Sequence, residues 1–220
     1  MGRAALAVGG AALIVAGVAV ASGWWWHSDD TRDHVVPGRV DSVVIATESG
    51  SVRVTSRDVA TASVHERLRY HRSRPDDAFR VEGTRLVLSG CGHNCSVDYE
   101  VVVPRGTAVT GRANSGDVLL DGVGATDVGA NSGDIRVVGP AGPVKANVNS
   151  GAITVELTAP QDVRAESNSG DIDVTVPPDR YRVQAEARSG EEQVRVADDP
   201  AGTHVIDVRA NSGDVLVKSA

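Results

Sequence analysis

Beyond residue 26 the chain has only four aromatic side chains, Tyr70, Phe79, Tyr99 and Tyr181; the other three form the run Trp24, Trp25, Trp26. Buried aromatics supply roughly 150–250 Å² each to the core of a compact globule. Without them the core has to be thin and made of Val, Ile, Leu and Ala, which suits a stack of short strands better than a ball. Lysine is nearly missing: of 22 basic residues only Lys145 and Lys218 are lysine, and the formal charge is −7. There is no Lys-rich tract, and an acidic balance argues against nucleic acid as a partner. Past the N-terminus no stretch sustains a helical period. The closest, "VATASVHERLRYH" at 59–71, reads as strand plus loop. Also missing are a nucleophile elbow, a HExxH pair and a P-loop. The sequence therefore gives no catalytic, cofactor-binding or metal residues, and a non-catalytic protein without a cofactor is the expectation.

Charge is absent from one more place. Ala4 to Gly23 is twenty uncharged residues, long enough to cross a bilayer as a helix. Arg3 precedes it, and Asp29, Asp30 and Asp33 follow, so the positive-inside rule leaves the N-terminus in the cytoplasm and exports the rest. "AVA" at 19–21 has the form of a signal-peptidase site, whereas "WWW" at 24–26 suits an interfacial belt of an uncleaved anchor. Both readings export residues 27–220. The expected organisation is a cytoplasmic stub at 1–3, a single-pass transmembrane helix at 4–23, an interfacial Trp run and polar stalk at 24–38, and a repeat domain at 39–220.

The repeat is explicit. "ANSGD" stands at 113–117, 130–134 and 210–214, with near-copies at 149–152 and 168–171 and worn copies at 188–191 and 48–51. Aligned on the Asn, the copies share four columns. Five residues before lie Val109, Thr126, Val144, Val163, Val183 and Ile206; three before lie Gly111, Val128, Ala146, Ala165, Ala185 and Val208. Four after lie Val118, Ile135, Ile153, Ile172, Glu192 and Val215; six after lie Leu120, Val137, Val155, Val174, Val194 and Val217. The copy centred on Glu48 obeys the same register with Val43, Ile45, Val52 and Val54. Steps of two put each column on one face of a strand. Each repeat is strand, tight turn, strand and a return loop. Asn and Gly at the turn tolerate positive φ, and Ser and Asp bond locally. A string of hairpins would need a second apolar column set for the return segments, which are instead short and rich in Gly, Pro and Asp. The pattern predicts an all-β, single-chain parallel β-solenoid (β-helix), right-handed by the crossover rule, with roughly nine coils and a length of about 40 Å. Glu192 breaks its apolar column, and an outward bulge is expected there. The last strand, 214–217, is expected at an open end, crossed by the Lys218 tail or used for association.

Three groups could carry chemistry. Asp117, Asp134, Asp171 and Asp214 would form an acidic line down a stack. They could bind Ca²⁺, or each could bond turn amides and face water. Cys91 and Cys95, in "CGHNC", suit a disulfide in an oxidising compartment, on the order of 2 kcal/mol for so short a loop. A metal site with His93 and free thiols are the alternatives. The basic run Arg67, Arg69, Arg72 and Arg74, with His65 and His71, could meet anionic envelope polymers or headgroups, or be a solvated loop blunted by Asp76 and Asp77.

The "NSGD" ladder, the "CGHNCSVDYEVVVPRG" stretch at 91–106 and the leading apolar helix together resemble a family of bacterial β-strand-repeat proteins of unknown function regarded as adhesin-like. Cys95, Val97, Asp98, Tyr99, Val101, Val103 and Pro104 carry the match, which spans roughly residues 40–220. The resemblance implies a β-solenoid at the cell surface, in some members tied to envelope stress, and no catalytic residues. The function expected is a membrane-anchored extracytoplasmic binding or structural module that meets a cell-envelope polymer or surface protein. The alternatives are an envelope-stress sensor acting through membrane partners and a carbohydrate-active enzyme.

Overall fold

The computed structural model describes residues 28–71 and 73–220, so the anchor expected at 4–23 and the Trp run lie outside the described residues. Among the described residues no helix is long and apolar enough to cross a membrane. These residues are all-β. The strands are β1 (Ser28–Val35), β2 (Ser42–Ser49), β3 (Val52–Arg57), β4 (Ser63–Tyr70), β5 (Phe79–Glu82), β6 (Arg85–Ser89), β7 (Cys95–Pro104), β8 (Ala108–Ser115), β9 (Val118–Asp121) and β10 (Thr126–Ser132). There follow β11 (Ile135–Val138), β12 (Val144–Ser150), β13 (Ile153–Glu156), β14 (Val163–Ser169), β15 (Ile172–Val176), β16 (Tyr181–Ala187), β17 (Glu192–Arg195), β18 (His204–Ser212) and β19 (Val215–Ser219).

From β6 onward the chain alternates between two sheets, crossing from one to the other at every "NSG" turn. The ten-stranded sheet runs β1-β4-β7-β3-β9-β11-β13-β15-β19-β17; the nine-stranded sheet runs β16-β18-β14-β12-β10-β8-β2-β6-β5. Apart from β1, β4 and β5, whose pairings are antiparallel, neighbours are parallel. The result is a solenoid-like stack of two-stranded windings, mixed rather than uniformly parallel, with antiparallel strands confined to one end.

The four columns read from the sequence are the pairing register. Thr126 pairs with Val109 and Val144, Val163 with Ile206, and Val128 with Gly111 and Ala146. Across the turn Ile135 pairs with Val118 and Ile153, and Val155 with Val174. Each interior side chain therefore lies on its equivalent in the winding above and below. Alternation is enough to bury Val, Ile and Leu in such a stack: Ile135, Ile153, Val155 and Val174 are wholly inside. The interior is narrow, so small residues fill the position nearest the turn, where Ala113, Ala130 and Ala210 are buried.

Stacking order departs from chain order at both ends. The first winding, β2–β3, sits between β6–β7 and β8–β9, and the last, β18–β19, sits between β14–β15 and β16–β17. Residues 214–217 are accordingly internal, which corrects the expectation that they form an open end. The outermost winding there is β16–β17. Glu192 pairs in register with Val215 without a bulge. It is exposed because its winding has a neighbour on one side only. The edge of β16 is blocked by the loop that follows β17: Asp198 Oδ1 accepts the Val183 amide at 2.9 Å, and the Asp199 amide donates to Tyr181 O at 2.8 Å. Edge strands left open invite pairing with other chains, and loop cover of this kind removes the invitation.

At the other end, Ser28–Val35 is not a stalk but an edge strand, paired along its whole length with β4. Its polar composition, with Val35 as its one apolar residue, and the Pro-Gly that follows point to a stalk when the sequence stands alone. Its inward positions Asp30, Arg32 and His34 pair with Leu68, Glu66 and Val64, so a polar layer closes the end of the apolar interior. Inward-pointing charges on an edge strand oppose further sheet growth.

Candidate functional site

The repeated turn is built differently from the sequence expectation. Only glycine takes positive φ there; the one non-glycine residue with positive φ among the described residues is Asn94. The Asn of each motif is extended and its side chain joins a ladder. Asn131 Nδ2 donates to Asn114 Oδ1, Asn149 to Asn131, Asn168 to Asn149 and Asn211 to Asn168, at 3.0–3.4 Å. These amides are exposed, so water competes for every bond. Asn149→Ala is expected to cost less than about 1 kcal/mol in urea unfolding, although two rungs are lost.

The acidic line exists and has a backbone partner. Asp117 Oδ1 accepts the amide of Asp134, Asp134 Oδ1 that of Ala152, Asp171 Oδ1 that of Asp214, and Asp214 Oδ1 that of Glu191, at 2.8–3.0 Å. Each carboxylate thus binds the next winding's turn. Asp98 belongs to the same line, accepting the Ser51 amide at 2.9 Å. Sequence reasoning did not include it, because β7 has no "NSG" turn, although the register Ser51–Asp98 follows once Val52 pairs with Tyr99. Cys91 and Cys95 form a disulfide in the loop between β6 and β7, with Cα atoms 5.7 Å apart.

The basic run is distributed over two faces. Arg69 and His65 point outward from β4 and pair with Asp98 and Asp33, both at 2.7 Å. Arg74 reaches Asp30 at 2.8 Å. His65, Arg69 and Arg74 are thus matched by carboxylates of β1 and β7 rather than by the neighbouring Asp76 and Asp77 expected from sequence.

A groove of about 520 Å³ crosses the outer face of the nine-stranded sheet. Its floor is small and apolar, with Ala108, Ala125, Pro143 and Val205, and its rim carries Asp127, Lys145, Arg164 and Asp207. Lys145 Nζ pairs with Asp127 at 3.2 Å and Arg209 with Asp207 at 2.9 Å, and the rim runs Asp127, Lys145, Arg164, Asp207 through adjacent windings, two cations flanked by carboxylates. The groove spans β8, β10, β12, β14 and β18, five adjacent windings at about 4.8 Å each.

The most unusual polar cluster lies at the capped end. Glu66 interrupts the inward alternation Val64–Glu66–Leu68 and is wholly buried. Its Oε1 accepts the Ala78 amide at 3.1 Å, while Oε2 lacks a hydrogen bond and lies 3.5 Å from His34 Nε2. Burial pushes the Glu66 carboxyl above the usual range, against the opposing pull of the Ala78 amide. Opposite it in register, Tyr99 is buried, with its hydroxyl 2.6 Å from Ala78 O and 2.9 Å from Ser89 O as donor. Burial and then the neighbouring Glu66 charge raise the phenol far above its ordinary value, so it stays a donor. Asp77 Oδ1 accepts Arg32 Nη1 at 2.8 Å and stands 3.8 Å from His34 Nε2. Burial disfavours the Asp30 charge, but hydrogen bonds from Arg74 and Arg32 win and hold its carboxyl below the usual range. Sequence reasoning missed this cluster; the signal available was a glutamate inside an apolar alternation, the feature noted at Glu192. Tyr99→Phe is expected to cost about 1–2 kcal/mol in denaturant unfolding, because it removes the hydroxyl proton shared between Ser89 O and Ala78 O, of which Ala78 O keeps the Ser89 amide.

Comparison with known proteins bears on the fold. No curated protein matches the chain. A solved structure of a candidate cell adhesion protein from Clostridium sporogenes aligns with 89% of this chain and 100% of its own, at 11% identity and a TM-score of 0.53, a likeness of fold alone. A candidate adhesin from Bacteroides fragilis aligns with 88% of this chain and 97% of its own, at 12% identity and a TM-score of 0.33. The Toastrack DUF4097 family matches residues 36–218, the stretch that holds every winding of the stack, and the chain belongs to that family.

Proposed function

We propose that the protein is a membrane-tethered, extracytoplasmic β-solenoid that displays one long face for binding, as a non-catalytic adhesin-like module. The observation that carries this reading is the groove across five windings, with its apolar floor and a rim that bears charges of both signs. A linear polymer repeats at intervals, and a stack of equivalent windings offers repeated contacts at a fixed spacing. The uncharged segment at 4–23, with Arg3 before it and acidic residues after it, supports tethering with the repeat region outside. The candidate adhesion protein named above shares the fold, which is compatible with a surface role.

The test is a binding screen of the full chain against cell-envelope polymers and glycans, repeated with Ala125→Arg. Ala125 is exposed on the groove floor, so the substitution obstructs the face without entering the core. Saturable binding to a linear polymer, weakened at least about tenfold by Ala125→Arg, is the expected result. Binding that ignores the substitution would place the contact elsewhere, and no binding across the screen would remove the display reading.

A further inference from the structure

We infer that His34 Nε2, Glu66 Oε2 and Asp77 Oδ1 form a binding site for one divalent transition-metal ion of the zinc class, fastening β1 to the end of the stack.

The geometry comes first. The three ligand atoms lie within 4.8 Å of one another, with His34 Nε2 3.5 Å from Glu66 and 3.8 Å from Asp77. Ligands held 2.0–2.2 Å from a tetrahedral zinc ion stand about 3.4 Å apart. Both His34 distances lie within a few tenths of an ångström of that value, and rotation of the half-exposed Asp77 side chain can bring its carboxylate to the same ion, with water in the fourth position.

Burial supplies an independent argument. Glu66 is fully inside, yet its Oε2 and the facing His34 Nε2 both lack hydrogen bonds. Orphaned buried polar atoms are costly. Here two of them are aimed at the same point. Charge agrees: among the described residues, the carboxyl groups of Asp30, Glu66 and Asp77 are faced by two guanidinium groups, those of Arg32 and Arg74. Arg32 pairs with Asp30 and Asp77, and Arg74 with Asp30, which leaves the most buried carboxyl, Glu66, without an arginine partner among the described residues.

The surrounding groups hold these ligands in place, as outer partners do in metal sites. The Ala78 amide orients Glu66 through Oε1, and Arg32 orients Asp77. Phe79 packs edge-on against the His34 ring at a centroid distance of 4.9 Å. An imidazole among the ligands selects zinc-like ions over Ca²⁺ and Mg²⁺, which prefer all-oxygen sets. The ligands come from β1, β4 and the loop before β5, so an ion would tie together segments that are remote in sequence.

The experiment uses the full chain in detergent, stripped with a chelator and titrated with zinc chloride alone by calorimetry. Asp77→Asn and Glu66→Gln are compared with the parent protein, and amide exchange of residues 29–35 is followed in parallel. One zinc per chain is expected. Affinity should fall at least about tenfold in each variant, and β1 exchange should slow in the parent protein only. At a hundredfold excess over Kd the thermal midpoint of the parent should rise by about 5–10 °C, with Glu66→Gln unmoved. Asp77 lies on an exposed loop, so Asp77→Asn keeps its fold and decides the matter. Zinc bound equally by this variant would locate it at other histidines and overturn the assignment, as would a parent protein that binds none.

Discussion

Gly170→Ala is expected to lower stability by about 3–5 kcal/mol, measured by urea unfolding. Gly170 has φ +137°, a conformation that side chains avoid, and a Cβ there would meet Gly151 O at 2.1 Å and Gly151 C at 2.6 Å. That obstacle is the backbone of the next turn and cannot rotate away. It is held by the Gly151 amide on Ser169 O at 3.0 Å and the Ile153 amide on Asp171 O at 2.9 Å. Relieving the clash therefore breaks ladder bonds on both sides of the turn. Gly83→Ala is the control: φ is +65°, but a Cβ there finds nothing within 4 Å, so only backbone strain of about 1 kcal/mol remains. Equal costs for the two variants would mean that the turns do not stack glycine on glycine.

Why was so much of this register readable? The column pattern is local. A two-residue period and a tight turn fix which side chains enter the interior of each winding, whatever lies above or below. Val118, Ile135, Ile153, Ile172 and Val215 could be aligned without knowing the order of the stack. The order is a non-local matter, decided among windings whose apolar columns are nearly interchangeable. One residue did hold the answer. Followed through both ends, the column of Val118 and Ile135 continues to Val52, Tyr99, Glu66 and Arg32 on one side, and to Val215 and Glu192 on the other. Polar residues terminate it at each end. A glutamate in an apolar column is thus a signal that its winding is outermost, and at Glu192 it marks the end of the stack rather than a bulge. The capped end was illegible for a different reason. β1 has no apolar alternation, since it covers the core with Asp30, Arg32 and His34, and the residues it pairs with on β4 lie from 28 (Val35–Ser63) to 42 (Ser28–Tyr70) positions away in sequence. The asparagine ladder hid behind a residue that is equally common in turns.

The stacking order leads to the second large effect. Val215→Glu is expected to cost about 4 kcal/mol or more and to release β16–β17 along with β18–β19, whereas Glu192→Val should change stability by less than about 1 kcal/mol. The two positions share one column and are direct neighbours. Val215 is fully buried between Ile172 and Glu192, so a carboxylate there has no water and no cation. Glu192 already sits at the solvent end of the same column. If windings instead stacked in the order of the chain, the roles would reverse: Val215 would be terminal and tolerant, and Glu192 would be an internal charge whose removal stabilises strongly. Equilibrium unfolding of both variants, with amide exchange across 181–187, separates the two arrangements. In the inserted arrangement β16 hangs on β18 through seven register pairs, so unfolding β18 should bring residues 181–187 to the exchange rates of an unprotected segment.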